Sequence, residues 1–307
     1  MKYMIGIDIG GTNTRVALIN ENYEIIQREQ FSTNIEDPQI TLKQIKSLID
    51  NFHVDILGVG VSCPGPLDLI HGKILTPPNL GKKWWNFEIE KEMSNLLGLP
   101  VYLENDANLA ALAEAIVGKG KAFNYVVFMT ISTGIGSGFV INQQIYHGAH
   151  GFAHEVANIP FWRDGPSHGN IYPGGIEAIS SGTAITMRAQ KAGLLVNHAG
   201  EVYQLAINGN VEAIKILDDA KECLANEIAA VYALLDPEIV VLGGSVAIKI
   251  PGFVDEVKQR VKQRCYDNVA EIVNIEKTNL NEDSGLLGAA ILALYRHKKN
   301  DHINMPS

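Results

Sequence analysis

The chain is poor in cysteine, in positive charge and in long apolar runs. Its three cysteines, Cys63, Cys223 and Cys265, are too widely spaced for a disulfide framework and are typical of a reducing compartment. The 34 acidic residues outnumber the 25 basic ones, so the net charge is −9 and a general nucleic-acid surface is not expected. No apolar run approaches the ~20 residues that cross a bilayer, and no basic and apolar leader precedes Tyr3. We therefore expect a cytoplasmic protein without nucleic-acid or membrane partners.

What the chain does contain is a glycine-centred pattern at residues 6–20, which read GIDIGGTNTRVALIN. Two apolar runs flank the glycines, so the pattern predicts a strand, a tight turn and a second strand. Gly10 and Gly11 stand where a positive φ would be needed. A plain hairpin is one explanation of these glycines.

The same turn also has the composition of a phosphate site. Backbone N–H groups of a Gly-Gly-Thr turn can approach an anion closely, because glycine has no Cβ. Thr12 adds a hydroxyl group and Arg15 adds a cation with forked donors. Asp8, at the mouth of the turn, is placed to hold a metal ion through water.

The pattern occurs a second time, 122 residues further on. An ungapped shift lays residues 125–142 over residues 3–20, with identities at Tyr3/Tyr125, Ile9/Ile131, Ile19/Ile141 and Asn20/Asn142. The chain is long enough for two domains, and 46% of its residues are hydrophobic. We therefore expect two related halves, each offering a glycine-rich turn to one cleft.

Periodicity predicts the remaining elements. We expect strands at 23–31, 54–61 and 101–103, and helices at 38–52, 86–97 and 107–117. After the repeated hairpin at 124–142, we expect helices at 184–191, 203–207 and 211–235 and a strand at 239–242. A helix from Pro251, a strand at 268–275 and a helix at 283–295 complete the prediction.

Two of the predicted strands end in segments that suit a ligand. The strand at 54–61 leads into SCPGP at 62–66, and open α/β sheets bind ligands at the carboxyl ends of their strands. A rigid turn explains the same residues. The strand at 101–103 leads into Asn105 and Asp106 at the start of a helix. Asp106 can be an N-cap, a functional carboxylate, or both.

A histidine-rich segment, HGAHGFAHEVANIP, occupies residues 147–160. Its three histidines are spaced i, i+3 and i+7. In a helix, His150 and His154 would lie on one face, so a metal site has to be considered.

Four motifs in order resemble the ROK sugar kinases (repressors, open reading frames and kinases) of the actin-like ATPase superfamily. They are DIGGTNTR at 8–15, ENDAN at 104–108, STGIGSG at 132–138 and LGGSV at 242–246. The resemblance extends from Tyr3 to about Tyr295. It implies an α/β protein of two actin-like (ribonuclease H-like) domains with a nucleotide and sugar cleft between them. The small domain would comprise 1–117 plus about 286–299, the large domain 118–285, and the protein would be a homodimer.

The resemblance also implies ATP- and Mg²⁺-dependent phosphorylation of a hexose, most simply at its 6-hydroxyl, with Asp106 as general base. Asp8 would hold Mg²⁺ through water. The implied nucleotide-binding residues are Asp8, Gly10, Gly11, Thr12, Asn13, Arg15, Thr133, Gly134, Gly136, Gly243 and Gly244. The implied sugar-binding residues are Gly65, Asn79, Asn105, Asp106, Glu155, Asn158 and Glu177.

The chain departs from the family pattern at its zinc motif. In most ROK proteins, a histidine three residues after the glutamate joins three cysteines of a CxCGxxGC motif in holding zinc. Here Asn158 and the segment SHGNIYPGG at 167–175 stand in those places. No zinc site is expected, with His150, His154 and His168 as conceivable substitute ligands. We expect packing of Ile171, Tyr172 and Ile176 to hold the loop instead.

Because Asn158 replaces the usual histidine, the sequence does not decide which sugar is the substrate. The candidates are glucose, N-acetylmannosamine, fructose, mannose, allose and a β-glucoside. A sugar-sensing ROK transcriptional regulator is disfavoured by the acidic charge balance and by a kinase core that begins at Tyr3. A sugar-binding protein without catalytic activity is disfavoured by the presence of Asp106 and of both glycine-rich turns. A different actin-like protein is disfavoured by the carboxylates of Glu155 and Glu177.

Overall fold

The computed structural model describes residues 2–77 and 79–303, which form two compact units. The first unit runs to Ala113 and resumes at Glu282, and the second comprises Glu114–Asn281. Within the described ranges, no helix is long and apolar enough to cross a membrane.

Strands and helices alternate along the chain. The strands are β1 Tyr3–Ile9, β2 Asn13–Asn20, β3 Ile25–Ser32, β4 Ile56–Cys63, β5 Leu67–Asp68, β6 Lys73–Ile74, β7 Val101–Asn105, β8 Tyr125–Ile131, β9 Ile135–Ile141, β10 Gln144–Ile145, β11 Ile239–Gly243 and β12 Ile275–Lys277. The helices are α1 Pro38–Asp50, α2 Ile89–Leu97, α3 Asp106–Ile116, α4 Ile176–Ser180, α5 Gly182–Lys191, α6 Ala199–Ile207, α7 Val211–Leu235, α8 Gly244–Lys249, α9 Phe253–Lys262, α10 Asp267–Ile272 and α11 Ser284–Ile303, with 3₁₀ turns at Lys82–Trp84 and Asn281–Asp283.

Each unit contains one five-stranded sheet of the same design. The first sheet has the order β3-β2-β1-β4-β7 and the second has the order β10-β9-β8-β11-β12. In both, three strands run antiparallel and two further strands join in parallel. This mixed α/β architecture confirms the predicted fold class, and the repeated hairpin confirms the predicted repeat.

The two hairpins differ in length by one residue, so the ungapped 122-residue superposition is wrong beyond the turn. In the first hairpin Tyr3 pairs with Asn20, whereas in the second Tyr125 pairs with Ile141. Asn142, which the shift laid over Asn20, therefore lies outside the second hairpin ladder. The chance identities in the second strand hid the shorter turn, because apolar β-strands resemble one another.

The strands β1, β2 and β4 of the first sheet are covered on both faces, which explains their near-continuous apolar sequences, whereas the edge strand β3 is polar and exposed. One face packs on α1 and α2 through a core that includes Ile45 and Met93. The other face packs on α11, which contacts β1, β4 and β7.

Helix α11 approaches the strands backbone to backbone, and glycines allow this. A Cβ on Gly60 of β4 would lie 1.8 Å from the Ala289 carbonyl oxygen. A Cβ on Gly6 of β1 would lie 2.2 Å from the Leu286 carbonyl oxygen. No real Cβ could occupy either place, so both glycines are required for this packing.

In the second unit, α7 is the central helix of the core. Its first turn is capped by Asn210, whose side chain accepts a hydrogen bond from the Ala213 N–H (2.9 Å). Its last turn ends at Asp236 in the left-handed region, just before Pro237. These local signals explain why the predicted bounds of this helix agree with the structure.

The predicted strand at 268–275 is wrong. Residues Asp267–Ile272 form helix α10, and only Ile275–Lys277 is a strand. Val269, Ile272 and Val273 follow a spacing of three and four residues, which is helical, and the Tyr266 carbonyl accepts hydrogen bonds that close the first turn.

A buried carboxyl group on α7 should make the stability of the protein depend on pH. Glu227 is 3% exposed, and desolvation raises its pKa from 4.5 to about 7. Because the folded-state pKa lies above the unfolded-state value, this group costs no stability below 4.5. As the pH rises toward 7, ionisation of Glu227 destabilises the folded protein more and more. Above pH 7 the loss is about 3 kcal/mol, because each unit of pKa shift corresponds to roughly 1.4 kcal/mol.

Glu227→Gln should therefore flatten the stability profile. Between about pH 5.5 and 8 we expect the unfolding free energy of the parent to fall by ~2 kcal/mol relative to that of the variant, as measured by urea denaturation. Glu212→Gln, at an exposed position in the first turn of the same helix, is the matched control. Parallel profiles for the parent and Glu227→Gln would contradict the burial argument.

Candidate active site

The glycine turn of the first unit is held by a residue that the sequence analysis missed. The Gly10 N–H donates to the Asn13 carbonyl (2.9 Å), which closes the turn. Thr33, just after β3, donates from its hydroxyl to the Gly10 carbonyl (2.7 Å) and from its N–H to the Thr12 carbonyl (2.9 Å). The turn is thus clamped from the side, with Thr12 and Asn13 exposed at its tip. No local sequence signal distinguishes Thr33, since its partners lie 19 to 23 residues away.

The turn glycines serve close approach rather than a positive φ. Neither Gly10 nor Gly11 is among the residues with φ > 0, so that part of the prediction is wrong. Gly11 is instead pressed against Asn79, whose Cβ and carbonyl oxygen would both lie 2.8 Å from an added Cβ. The structure therefore brings together the predicted phosphate turn and the predicted sugar-binding Asn79.

Asp8 and Arg15, which the sequence analysis treated separately, form an ion pair. The Arg15 Nη2 lies 2.6 Å and the Nε 3.2 Å from the Asp8 Oδ2. Arg15 also donates from Nη1 to the Glu282 carbonyl (2.8 Å). The guanidinium orients the aspartate through one carboxylate oxygen and leaves the other, Oδ1, facing Gly285 at the start of α11.

The carboxyl ends of the parallel strands β1, β4 and β7 gather further predicted residues. Asp8 stands opposite Ser62 in the ladder, and Cys63 stands opposite Asn105. Burial raises the pKa of the Cys63 thiol well above its usual value, and the negative charges of Asp106 and Asp8 raise it further. Both carboxylates therefore lie near this thiol. Gly65 follows in the half-buried loop after β4.

The helix cap at this edge is Asn105, not Asp106. The Asn105 Oδ1 accepts hydrogen bonds from the N–H groups of Ala107 (2.9 Å) and Asn108 (3.3 Å), as an N-cap side chain does. Asp106 is the exposed first residue of α3. The Asp106 Oδ1 also accepts a hydrogen bond from the Ala107 N–H (2.8 Å), so the aspartate lies at the positive end of the helix dipole beside the N-cap Asn105.

In the second unit, the glycine turn is closed by Glu177. The Ser132 N–H donates to the Gly134 carbonyl (2.9 Å), and Thr133 is exposed at the tip. The Glu177 Oε2 accepts a hydrogen bond from the Ile135 N–H (2.8 Å), and a Cβ on Gly134 would lie 2.6 Å from that oxygen. This repeats the first unit, where a turn glycine meets Asn79. Gly136 lies within β9.

The histidine-rich segment 147–160 is not helical, so the helical face proposed for His150 and His154 does not exist. Within the described residues, no three His, Cys, Asp or Glu side chains come close enough to hold a metal ion. Partial desolvation raises the pKa of Glu155, although its side chain remains in contact with solvent.

Asn158 holds the loop that replaces the family's cysteine motif. Its Oδ1 accepts a hydrogen bond from the Tyr172 N–H (2.5 Å). The Tyr172 side chain is 61% exposed, so the expected packing of Tyr172 is wrong, whereas Ile176 is fully buried. Backbone bonds of Phe161 to Gly174 (3.0 Å) complete the attachment.

A cavity of about 620 Å³ opens beside the second turn, within the same unit. Ser132 and Thr133 of the turn line it, together with Thr183, His198, Ser245 and Lys249. Apart from the turn, these residues lie on α5 and α8 and at the cap before α6, which periodicity alone could not bring together. The predicted Gly243 and Gly244 lie next to it, but the Phe128 ring and the Ile131 backbone fill the space that their missing side chains leave.

Asp8 suits Mg²⁺ only as a single ligand through water. One of its oxygens is occupied by Arg15, and the described residues offer no further cluster of carboxylates. Mg²⁺ is commonly held by one or two carboxylates together with substrate phosphates and water, so this residue fits that role.

Two α/β units of one design, each with a glycine turn closed against a polar side chain, are the architecture of an actin-like protein. A model of the ROK family matches residues 4–296, and the chain belongs to that family.

The relatives agree with this class. The chain is 28% identical over 316 residues to a glucokinase of Halalkalibacterium halodurans, covering 95% of this chain and 94% of that protein. It is 30% identical over 290 residues to an N-acetylmannosamine kinase of Salmonella heidelberg, covering 94% and 97%. The crystal structure of a ROK hexokinase from Thermus thermophilus matches with a TM-score of 0.88 and 27% identity, covering 97% of this chain and 99% of that one. The protein is therefore a sugar kinase.

Proposed function

We propose that this protein transfers the γ-phosphoryl group of ATP to the 6-hydroxyl of a hexose. The observation that carries the proposal is Asp106, an exposed carboxylate at the helix start whose cap is supplied by Asn105. A carboxylate in this exposed position can accept the proton of an attacking hydroxyl. Phosphoryl transfer otherwise requires positioning and charge neutralisation rather than covalent chemistry.

The two turns are proposed to bind the nucleotide phosphates. Thr12 and Thr133 stand exposed at the tips, where their N–H and hydroxyl groups can donate to anions. The cavity lined by Ser245 and Lys249 is proposed to take the adenosine. Asp8, oriented by Arg15, would hold Mg²⁺ through water; when bound, this ion neutralises phosphate charge.

The sugar is proposed to be recognised by amide and carboxylate groups, which match vicinal hydroxyls as donors and acceptors. The proposed contacts are Gly65, Asn79, Asn105, Glu155, Asn158 and Glu177. The names of the relatives support glucose and N-acetylmannosamine as leading substrates. We further propose that the protein is a cytoplasmic homodimer with a small domain at 1–117 plus about 286–299 and a large domain at 118–285, as the family resemblance implies.

A coupled ADP-release assay tests this function. The panel comprises glucose, mannose, N-acetylmannosamine, fructose, allose and a β-glucoside, each with ATP and Mg²⁺. We expect turnover with at least one sugar, dependence on Mg²⁺, and none with the 6-deoxy analogue of that sugar, because the acceptor hydroxyl is then missing. Absence of turnover with every member would sink the proposal, and turnover of the 6-deoxy analogue would move the phosphoryl acceptor to another hydroxyl.

A further inference from the structure

The backbone at His154 is left-handed although the residue carries a side chain. Its φ is +68°, in the left-handed region that L-residues with a side chain seldom adopt. Glycine would be the least strained residue there. A histidine that persists in this conformation must be held by its surroundings, and such strain concentrates at functional sites.

Two contacts hold the His154 ring. Its Nδ1 lies 3.1 Å from the Ser137 Oγ, and its ring centroid lies 5.5 Å from that of Phe139. Both partners belong to β9, the strand that leaves the second glycine turn. The ring is thus anchored to the same strand that carries the turn.

The hydrogen bond at Ser137 determines the tautomer of the ring. The single hydroxyl hydrogen of Ser137 is donated to the Phe128 carbonyl oxygen (2.9 Å). The Ser137 Oγ therefore accepts from His154, so the proton of the neutral ring is on Nδ1. Desolvation lowers the pKa of His154 to about 4, and the ring is accordingly neutral at neutral pH.

The residue after His154 is Glu155, and its backbone is set from both sides. The Val156 N–H donates to the His154 carbonyl (2.8 Å), which makes a three-residue turn with Glu155 at its centre. Val156 is 6% exposed and belongs to the core of the second unit. The direction of the Glu155 side chain therefore depends on the anchored ring before it and the buried valine after it.

We propose that His154 is a positioning residue for sugar recognition: its ring, hydrogen-bonded to Ser137 and packed on Phe139, holds the Glu155 carboxylate in place for the sugar hydroxyls. This inference rests on the proposed role of Glu155 as a sugar contact. It gives a use to the histidine-rich segment without a metal ion.

The test separates the effect of the His154 ring from the effect of the left-handed backbone at that position. His154→Gly keeps the left-handed conformation but removes the ring, and Ser137→Ala removes the acceptor while leaving the histidine in place. Binding of glucose, and in a parallel series of N-acetylmannosamine, is measured by calorimetry without ATP. KM values for sugar and ATP are measured separately. His150→Ala, an exposed histidine of the same segment, is the matched control.

We expect His154→Gly and Ser137→Ala each to weaken sugar binding by about 10-fold and to leave the KM for ATP within about twofold, since coupled contacts of this kind are worth ~1.4 kcal/mol. The double variant should bind sugar no more weakly than His154→Gly does, because both substitutions break the same hydrogen bond between His154 and Ser137. His150→Ala should bind as the parent does.

Glu155→Gln distinguishes the failure of the inference from failure of its premise. If Glu155→Gln weakens sugar binding but His154→Gly and Ser137→Ala do not, His154 is not a positioning residue and the proposed site stands. If Glu155→Gln binds sugar normally, Glu155 is no sugar contact, and both statements are wrong. Should His154→Gly be poorly folded, His154→Asn, which tolerates a positive φ, takes its place beside Ser137→Ala.

Discussion

Asp106→Asn should lower kcat by ~10²–10⁴-fold while leaving sugar affinity nearly unchanged, the usual range for loss of a general base. The amide retains the shape of the carboxylate and one acceptor oxygen but cannot take the proton of the attacking hydroxyl. Helix α3 should persist, because its cap is the side chain of Asn105. Single-turnover and steady-state rates of ADP release measure the effect, and calorimetry measures sugar binding.

The matched control is Asp267→Asn. Asp267 is likewise the exposed first residue of a helix, α10, and is remote from the predicted site residues in sequence. We expect this variant to keep parent kcat and to show the general cost of removing a carboxylate from a helix start, which is ~0.3–1 kcal/mol of stability. Near-parent turnover in Asp106→Asn would show that Asp106 has no catalytic role.

The second large effect concerns the fold of the first unit. Gly60→Ala should destabilise the protein by ~3–5 kcal/mol, in the range of severe overpacking. The added Cβ would meet the Ala289 carbonyl at 1.8 Å, and the contacted atom is backbone in the middle of α11, which cannot move aside as a flexible side chain could. Chemical denaturation, or failure to obtain folded protein, measures the loss.

Gly58→Ala is the control on the same strand. A Cβ at Gly58 would lie 3.4 Å from Pro100, close to an ordinary contact, and neither glycine has a positive φ. We expect a change below about 1 kcal/mol, because only side-chain crowding and strand propensity differ. Equal effects of the two substitutions would mean that α11 does not press on β4 as the structure shows.

The strands β1 and β4 contribute both to the candidate site and to the stability of the first unit. Both strands lead to the site edge, where Asp8 and Gly65 lie, and pass under α11 in mid-strand, at Gly6 and Gly60. A single row of strands thus supplies the candidate phosphate contacts at one end and a backbone-to-backbone packing surface further along. Rigid strands position polar groups more accurately than loops do, which suits a reaction whose catalysis depends on the placement of the reacting groups.

The sequence by itself determined the features that depend on short stretches of chain. The two hairpins and the bounds of α7 follow from local patterns of glycine, apolar period and capping residues, and four short motifs carry the resemblance to the family. Such signals act over a few residues, so one sequence is enough to detect them. The prediction of a strand at 268–275 is wrong, because residues Asp267–Ile272 form α10.

Only the tertiary structure determined which residues contact each other. It assigned the helix cap to Asn105, paired Arg15 with Asp8, attached Asn158 to Tyr172 and showed the second turn to be one residue shorter than the first. Each of these facts is a contact of one atom with another, at a separation that the chain order does not encode. Partners distant in sequence meet because burial of the apolar strands brings them together, and periodicity reports that a face is buried without saying what lies on it.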